Sequence, residues 1–383
     1  MFDIICAASD SPEELKRKAD FVCDEADARP ILQQAIDEAD RLNVSCVLMR
    51  GTYVINSRGE RSSKGAICFF NPEEKQRFYC QNRARYHVLQ GAKIPLGYLD
   101  GAVITMGKEF YESLSDDEEF SLFYNDGGDV YGRGMCIRNL TVMLPGSHKP
   151  VIVFNGQFAS IVRFEDNWVT SFDPRGKNYA SAEGIPIPHK KSVAFRGCIG
   201  SNFYTAEWKN CAAAGFGIGF DIGGEHIYCE SLSALYNWHG FAFNNYIGKR
   251  SIEDPDDGVS LGVGVYPIYC VNLLDEHNIH MPLFGNKTHQ KGYDDSKWSQ
   301  SITIHGMNLQ WPNTCPGYTD RTAPDFTEGR LRATETRKGL WRGSIELVID
   351  HTTPTCGVNL TDEPFFEEGH GINVSVRNLH DTL

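Results

Sequence analysis

The chain has 383 residues, of which 41% are hydrophobic and 23% charged. This composition supplies enough apolar surface for a large core, which excludes a disordered or collagen-like protein. Fifty acidic residues outnumber 37 basic ones and give a formal net charge of -13. Because this field repels phosphate backbones and anionic lipids, we expect no nucleic-acid or membrane partner.

The first ten residues lack the basic and apolar regions of a signal peptide, and no long apolar run follows. We therefore expect a cytoplasmic protein, with a phage particle or non-classical export as alternatives. The 12 cysteines stand singly, without a Cys-x-x-Cys pair or zinc-like spacing. This pattern favours buried free thiols over disulfides or a metal site.

The first predicted element is a helix from Pro30 to Leu42, because apolar residues recur there on one helical face behind a proline in the first turn. A β-rich run from Val44 to Ile55 follows, broken by a turn at Arg50 and Gly51. We expect residues 1–60 to form an N-terminal cap and first turn. Residues 61–383 would form the body of the same single domain.

Beyond about residue 130 a six-residue pattern recurs: apolar, any, apolar, any, small or polar, apolar. The copies begin at Met135, Val162, Phe203, Ile227, Ile268, Ile302 and Val374. The shortest steps, 27 residues from Met135 to Val162 and 24 from Phe203 to Ile227, fit one turn of a solenoid. Longer steps fit turns with insertions or an unrecognised turn between copies.

These short alternating strands predict an all-β fold, a right-handed parallel β-helix with an N-terminal capping helix. A β-sandwich is the alternative. It is less favoured because few Asn-Gly or Asp-Gly hairpin signals join the copies.

Residues 19–56 carry a run of features in a particular order. These are Asp24 and Asp27, then Gln33, Ala35, Ile36 and Asp37, then Gly51, Thr52 and Tyr53. The segment resembles the opening of pectate-lyase-like β-helix proteins, and the resemblance implies the same fold. That superfamily includes polysaccharide lyases, glycoside hydrolases, carbohydrate epimerases and phage tail spikes, so it also implies a glycan substrate and a homotrimer.

The resemblance does not identify the chemistry. The sequence lacks the Asn-Thr-Asp motif of polygalacturonases, and Gly369-His370-Gly371 is interpreted as a turn.

Two departures from the repeat, Asn245 to Val263 and Pro282 to Trp298, are expected to form the walls of a groove.

In each copy, the second and fourth residues should point outward. The outward second residues include Tyr204, Tyr228 and Tyr269, which predict a platform for sugar rings. A purely structural ladder of aromatic side chains is the alternative. Together with residues from the dense segment Phe220 to Gly240, the predicted substrate-binding residues are Arg163, Arg196, Tyr204, Tyr228, Trp238, His239 and Tyr269.

Carboxylates lie among these residues, as glycosidic-bond cleavage by acid and base requires. The catalytic candidates are Glu165, Asp166, Glu207, Asp221, Glu225 and Glu230. Glu207 is expected close beside Glu230, with Glu165 two turns from Glu230. Solvated surface carboxylates are the alternative interpretation.

The sequence therefore predicts a carbohydrate-active enzyme, a glycoside hydrolase without cofactor or metal. One alternative is a polysaccharide lyase using calcium, with Arg163, Arg196 or Lys209 as base. Another is a non-catalytic glycan-binding or phage-tail-type protein.

Overall fold

The computed structural model describes residues 3–69, 86–92, 101–125, 134–156, 159, 162–173, 186–197, 206–223, 227–244, 265–276, 278, 283–285, 299–310, 332–333, 344–352 and 371–376. Within these ranges, no helix has the length and apolarity needed to cross a membrane.

Strands dominate the described chain. In order, the elements are β1 (Ile4–Ala7), α1 (Glu13–Lys16), β2 (Phe21–Val22), α2 (Arg29–Leu42), β3 (Cys46–Leu48), β4 (Gly51–Ile55), β5 (Gly65–Cys68), β6 (Tyr86–Gly91), β7 (Ala102–Met106), α3 (Lys108–Glu112), β8 (Phe120–Tyr124), β9 (Gly134–Arg138), β10 (Leu140–Met143), β11 (Val151–Asn155), β12 (Val162–Glu165), β13 (Trp168–Thr170), β14 (Val193–Arg196), β15 (Ala206–Lys209), β16 (Ala212–Ala214), β17 (Ile218–Ile222), β18 (Ile227–Glu230), β19 (Ser233–Leu235), β20 (His239–Asn244), β21 (Val265–Glu276), β22 (Leu283–Gly285), β23 (Ser299–Gln310), β24 (Arg332–Ala333), β25 (Ser344–Thr352) and β26 (Gly371–Val376).

The strands form two parallel sheets, sheet A with 18 strands and sheet B with eight. A coil consists of two short sheet A strands separated by a bend, then one sheet B strand, as in β12, β13 and β14. Each strand pairs in parallel with its equivalent in the next coil, for example β12 with β15 and β15 with β18. The prediction of a parallel β-helix is confirmed.

Residues in the left-handed conformation form the bend in sheet A of six successive coils, between two short strands in the first four and within the long strands β21 and β23 in the last two. They have φ between 50° and 75° and are Asn139, Asp166, Asn210, Ser231, Asn272 and Gly306. Glycine and short polar side chains tolerate this conformation best. The small or polar fifth residue of the repeat is therefore a backbone requirement.

The core lies between the two sheets and contains a ladder of phenylalanines from successive sheet B strands. Phe123, Phe154, Phe195, Phe220 and Phe241 stack with ring centroids 4.9 to 5.4 Å apart. Aromatic pairs at this distance contribute about 0.5–1.5 kcal/mol each beyond their area burial. The ladder therefore helps to hold the coils in register.

Helix α2 packs at the N-terminal end, as the apolar face from Pro30 to Leu42 predicts. Leu32 and Ala35 are buried, and Asn43 ends the helix in the left-handed conformation. The Gln33 amide donates to the carbonyl of Cys68 at 2.8 Å and accepts from the N–H of Cys68 at 2.8 Å. One side chain thus satisfies both backbone groups of a residue at the end of β5.

The register corrects two copies of the repeat. Trp208, not Thr205, lies opposite Cys229, so the copy placed at Phe203 begins at Ala206. The last copy begins at Ile372 instead of Val374, because Ile372 pairs with Ile345. The long step before it holds β25, which sequence analysis missed.

Cysteines line the interior, in agreement with the predicted buried thiols. Of the cysteines within the described ranges, Cys6, Cys23, Cys46, Cys211, Cys229 and Cys270 are free and buried, Cys68 is buried, and Cys136 is free and partly exposed. Cys80, Cys198, Cys315 and Cys356 lie outside those ranges.

Candidate functional site

Several predicted site residues meet on one outward surface, which we call the tyrosine face. It is the solvent side of β12, β15, β18, β21 and β23. One row across it runs Arg163, Glu207, Tyr228, Tyr269 and Thr303. The neighbouring row runs Glu165, Lys209, Glu230, Val271 and His305. The predicted outward direction of second and fourth residues is confirmed by the burial alternation in β12 and β18.

Two tyrosines form the aromatic part of this face. The rings of Tyr228 and Tyr269 stack with centroids 5.9 Å apart and planes 17° apart. Tyr269 is 41% exposed, and His305 extends the stack at 5.7 Å. Because neighbouring side chains cover much of the ring faces, the stack offers a ligand mainly its exposed ring edges and its tyrosine hydroxyls.

The predicted third tyrosine is replaced by a carboxylate. Tyr204 lies outside the described residues, and the register places Glu207 opposite Tyr228. The aromatic row was predicted from a copy shifted by three residues. Glu207, expected close beside Glu230, is instead one diagonal step from it, because Lys209 is opposite Glu230.

Polar contacts tie the two carboxylates to the stack. The Tyr228 hydroxyl donates to Glu230 Oε2 at 3.2 Å. Partial burial, with the contact to Glu230, raises the pKa of the Tyr228 hydroxyl. Lys209 Nζ lies 3.7 Å from Glu207 Oε2 and 5.3 Å from the centre of the Tyr228 ring. Glu207, Lys209, Tyr228 and Glu230 therefore form one connected, partly exposed group.

Glu165 ends β12 and Asp166 follows it, one coil before Glu207 and Lys209 of β15. Glu165 is exposed and lies opposite Lys209, two strands from Glu230. Asp166 occupies a left-handed bend with φ 54°, and its N–H donates to the carbonyl of Lys209 at 3.0 Å. This backbone position accounts for a short polar residue there, and a catalytic role for Asp166 stays a prediction.

The structure places Arg196 and Asp221 on sheet B, apart from the tyrosine face. Arg196 Nε donates to Asp221 Oδ2 at 3.2 Å, and both residues are buried. The other Arg196 nitrogens hold the two oxygens of Glu119 at 2.9 and 3.2 Å. The Glu119 side chain is 45% exposed, so this cluster reaches the surface there.

Sequence analysis missed Glu119. It lies just before β8, distant in sequence from both partners, and belongs to an acidic run, Asp116 to Glu119, that carries no spacing signal. Only the fold brings it to Arg196.

The remaining predicted residues lie elsewhere. Trp238 donates from its indole N–H to the carbonyl of Pro188 at 2.6 Å and carries the Lys190 ammonium 4.7 Å above its ring. His239 begins β20, opposite Ile218. Glu225 lies outside the described residues. The tyrosine face therefore unites part of the predicted site, and the catalytic and binding roles stay predictions.

The long insertions lie where the chain passes from a sheet B strand to the sheet A strand of the next coil, β20 to β21 and β22 to β23. The segment Asn245 to Val263 follows β20, and the segment Pro282 to Trp298 contains β22, a sheet B strand that was expected to be loop. Both segments otherwise lie outside the described residues.

Within the described ranges, no group of three or more His, Cys, Asp and Glu side chains is arranged to hold a metal ion. Calcium binding by a lyase stays a prediction.

No known protein-family model matches the chain, and no curated protein matches it. Among solved structures, it is similar to the A-module of mannuronan C-5 epimerase AlgE4 from Azotobacter vinelandii. The two are 13% identical with a TM-score of 0.42, and the match covers 92% of each chain.

Proposed function

We propose that the chain binds a glycan on the tyrosine face and hydrolyses its glycosidic bonds there. The observation that carries the proposal is the exposed stack of Tyr228 and Tyr269 with Glu207 and Glu230 beside it. Exposed tyrosine edges and hydroxyls can contact a sugar, and paired carboxylates are the usual acid and base of glycoside hydrolysis.

The spacing of the two carboxylates favours inversion of configuration. Glu207 and Glu230 are two residues out of register on adjacent parallel strands, which places their Cα atoms about 8 Å apart. Inverting hydrolases keep their carboxyl groups about 6.5–9.5 Å apart to admit a water molecule, whereas retaining enzymes need about 5–5.5 Å. Carboxylates on directly opposite residues of adjacent strands, about 4.8 Å apart, would have matched the closer spacing of retaining enzymes.

The contacts suggest a role for each residue. Glu207 forms an ion pair with Lys209, which suits a general base that activates water. Glu230 lies at the edge of the aromatic stack, where a bound sugar would exclude water. Because Glu230 lies beside the stack that would hold the sugar, we assign it as the general acid that donates a proton to the leaving oxygen.

A polysaccharide lyase is the second candidate, favoured by one observation. Lys209 and Arg163 lie on the same face as the carboxylates, so a base and a cation are available to an acidic sugar. A glycan panel separates the two reactions, since new reducing ends without unsaturated-uronate absorbance indicate hydrolysis. New ends with that absorbance indicate a lyase.

The decisive variants are Glu207→Gln and Glu230→Gln, each measured for glycan cleavage and thermal melting. General acid–base catalysis is worth about 10²- to 10⁴-fold, so each variant should lose activity on that scale. Glu14→Gln is the control, because Glu14 is an exposed carboxylate of α1 and is not among the candidate site residues. Unchanged cleavage in both variants, with unchanged melting, would remove the pair from the site.

If the chain binds a glycan of the panel but cleaves none of them, the non-catalytic alternative is favoured. The predicted homotrimer is tested separately by sedimentation, where the mass of a single chain would contradict it.

A further inference from the structure

Two cysteine thiols are in contact at the N-terminal end of the solenoid, and we call them the cap thiol pair. Cys6 lies in β1, and Cys23 directly follows β2. Their Sγ atoms are 3.6 Å apart, and both thiols are free. A disulfide has an S–S distance of about 2.05 Å, so a movement of about 1.5 Å brings the two sulfurs to bonding distance. Strands β3, β6 and β9 separate β1 from the tyrosine face.

The Cys23 side of the pair can make this movement, because β2 is a short strand at the edge of sheet A. It consists of Phe21 and Val22, and of the strands that the structure describes only β1 pairs with it. Val22 is 43% exposed. Just beyond the strand, the Cys23 N–H donates to the carbonyl of Ala7 at 2.8 Å. Terminal segments with few backbone contacts open at a low cost in free energy, so opening of β2 would bring Cys23 to solvent.

The two thiols differ in their access to a reagent. Cys23 is 4% exposed, whereas Cys6 is fully buried. Contact with the Cys23 thiol and burial raise the pKa of the Cys6 thiol. Because the thiolate is the reactive form of cysteine, Cys6 is the less reactive partner while this contact lasts. Cys23 is therefore the thiol that a reagent meets first.

We propose that the cap thiol pair is a reversible redox site that low-molecular-weight disulfides convert to a Cys6–Cys23 disulfide. The Cys23 thiolate attacks one sulfur of oxidised glutathione, which forms a mixed disulfide and releases one glutathione thiolate. The Cys6 thiolate then attacks the Cys23 sulfur and releases the second glutathione thiolate. The two cysteines lose two electrons and two protons, and the two released glutathione thiols gain them.

The disulfide would hold β2 on the first strand of the solenoid. Its cysteines are 17 residues apart, so the bond closes a loop that contains α1. Closing such a loop restricts the unfolded chain and so favours the folded cap. The site needs neither a glycan nor the tyrosine face, and it therefore goes beyond the proposed function.

Incubation of the folded protein in glutathione buffers, from fully reduced to fully oxidised, tests the proposal directly. After alkylation of the remaining thiols, trypsin cuts after Lys16, Arg17 and Lys18, between the two cysteines, so only a disulfide can join the two peptides. Mass spectrometry should find residues 1–16 linked to the peptide that begins at residue 19 in the oxidised buffers. The two peptides should be separate and alkylated in the reduced buffers.

Cys229 and Cys270 are the matched control within the same protein. They lie opposite each other on β18 and β21, and both are fully buried. Strand β15 pairs with β18 on one side, and β23 pairs with β21 on the other. Because neither strand lies at an edge of the sheet, we expect these two thiols to stay reduced in the folded protein.

Thermal melting provides a second readout. The linked protein should melt about 4 °C higher than the reduced protein, as expected for a loop of this size in a chain of 383 residues. Cys23→Ala removes the partner of Cys6, so this variant should melt at the same temperature in both buffers.

Three results would overturn the proposal. The first is alkylation of both Cys6 and Cys23 in the most oxidising buffer, and the second is a link from Cys23 to Cys46 instead of Cys6. The third is linkage of Cys229 to Cys270 to the same extent, which would show that oxidation follows global unfolding. None of these measurements involves glycan cleavage, so failure of the proposed function would leave the cap thiol pair unaffected.

Discussion

Asp275 points into the interior of the solenoid, and its ionisation should make folding depend on pH. It lies in β21 opposite Ala234, which is buried, and it is itself 5% exposed. Asn278 donates to its Oδ1, whereas Oδ2 is buried and has no hydrogen-bond partner within the part of the chain that the structure describes. Burial raises the pKa of Asp275 from 3.8 to about 7.

The sign follows from proton linkage. Between the two pKa values, the folded state binds a proton that the unfolded state releases, so stability falls as pH rises from about 4 to about 7. A difference of about three pKa units corresponds to about 4 kcal/mol at 1.36 kcal/mol per unit, which is an upper limit for this loss. Asp275→Asn keeps the shape without the charge, so its stability should lack this fall.

Urea unfolding at a series of pH values between about 4 and 8 measures the effect. The variant and the wild type should have similar stability at the acid end, and the variant should be more stable at the basic end by up to about 4 kcal/mol. Hydrogen exchange should place the change in β19 and β21, because coils of a solenoid interact chiefly with their neighbours. Asp117→Asn is the control, since Asp117 is exposed. Parallel pH profiles for wild type and Asp275→Asn would refute the reasoning.

Three further outcomes follow from the packing. Phe220→Ala should cost about 3–5 kcal/mol in urea unfolding, because it opens a gap in the phenylalanine ladder; a loss below about 1 kcal/mol would contradict the role of the ladder. Arg196→Met should cost about 3–5 kcal/mol, since it leaves Asp221 charged and buried, whereas Glu119→Gln should cost less in the same assay because Glu119 is half exposed. Asn210→Val should lower the melting temperature and Asn210→Gly should not, because the residue has φ 50°; equal effects would contradict the bend argument.

The parts of the fold set by local chemistry could be predicted from sequence. Helix α2 has a regular apolar face, and the strands of the repeat alternate inward and outward residues with a period of two. The bend residue carries further information about the register. In the structure Asn210 is the fifth residue of a copy that begins at Ala206, whereas the predicted copy at Phe203 would put Glu207 in the left-handed bend. Aligning the copies on Asn210 would have given the correct register.

The site was less predictable, because its geometry depends on that register. The predicted copy began three residues too early, so it put Tyr204 where the structure has Glu207, opposite Tyr228. The same error changed the distance expected between Glu207 and Glu230. The Arg196 cluster had no local signal at all, since its members come from the start of β8 and the ends of β14 and β17.

The charge pattern along the tyrosine face explains why Glu230 is the carboxylate to examine first. One row alternates in sign across four neighbouring strands, from Arg138 through Glu165 and Lys209 to Glu230. Strands are about 4.8 Å apart, so each inner charge has opposite charges on both sides. The alternation stops at Glu230, whose next neighbour is Val271. Glu230 therefore has a charged neighbour in this row on one side only, at the place where the aromatic stack begins, and a ligand on that stack would change its surroundings more than those of Glu165.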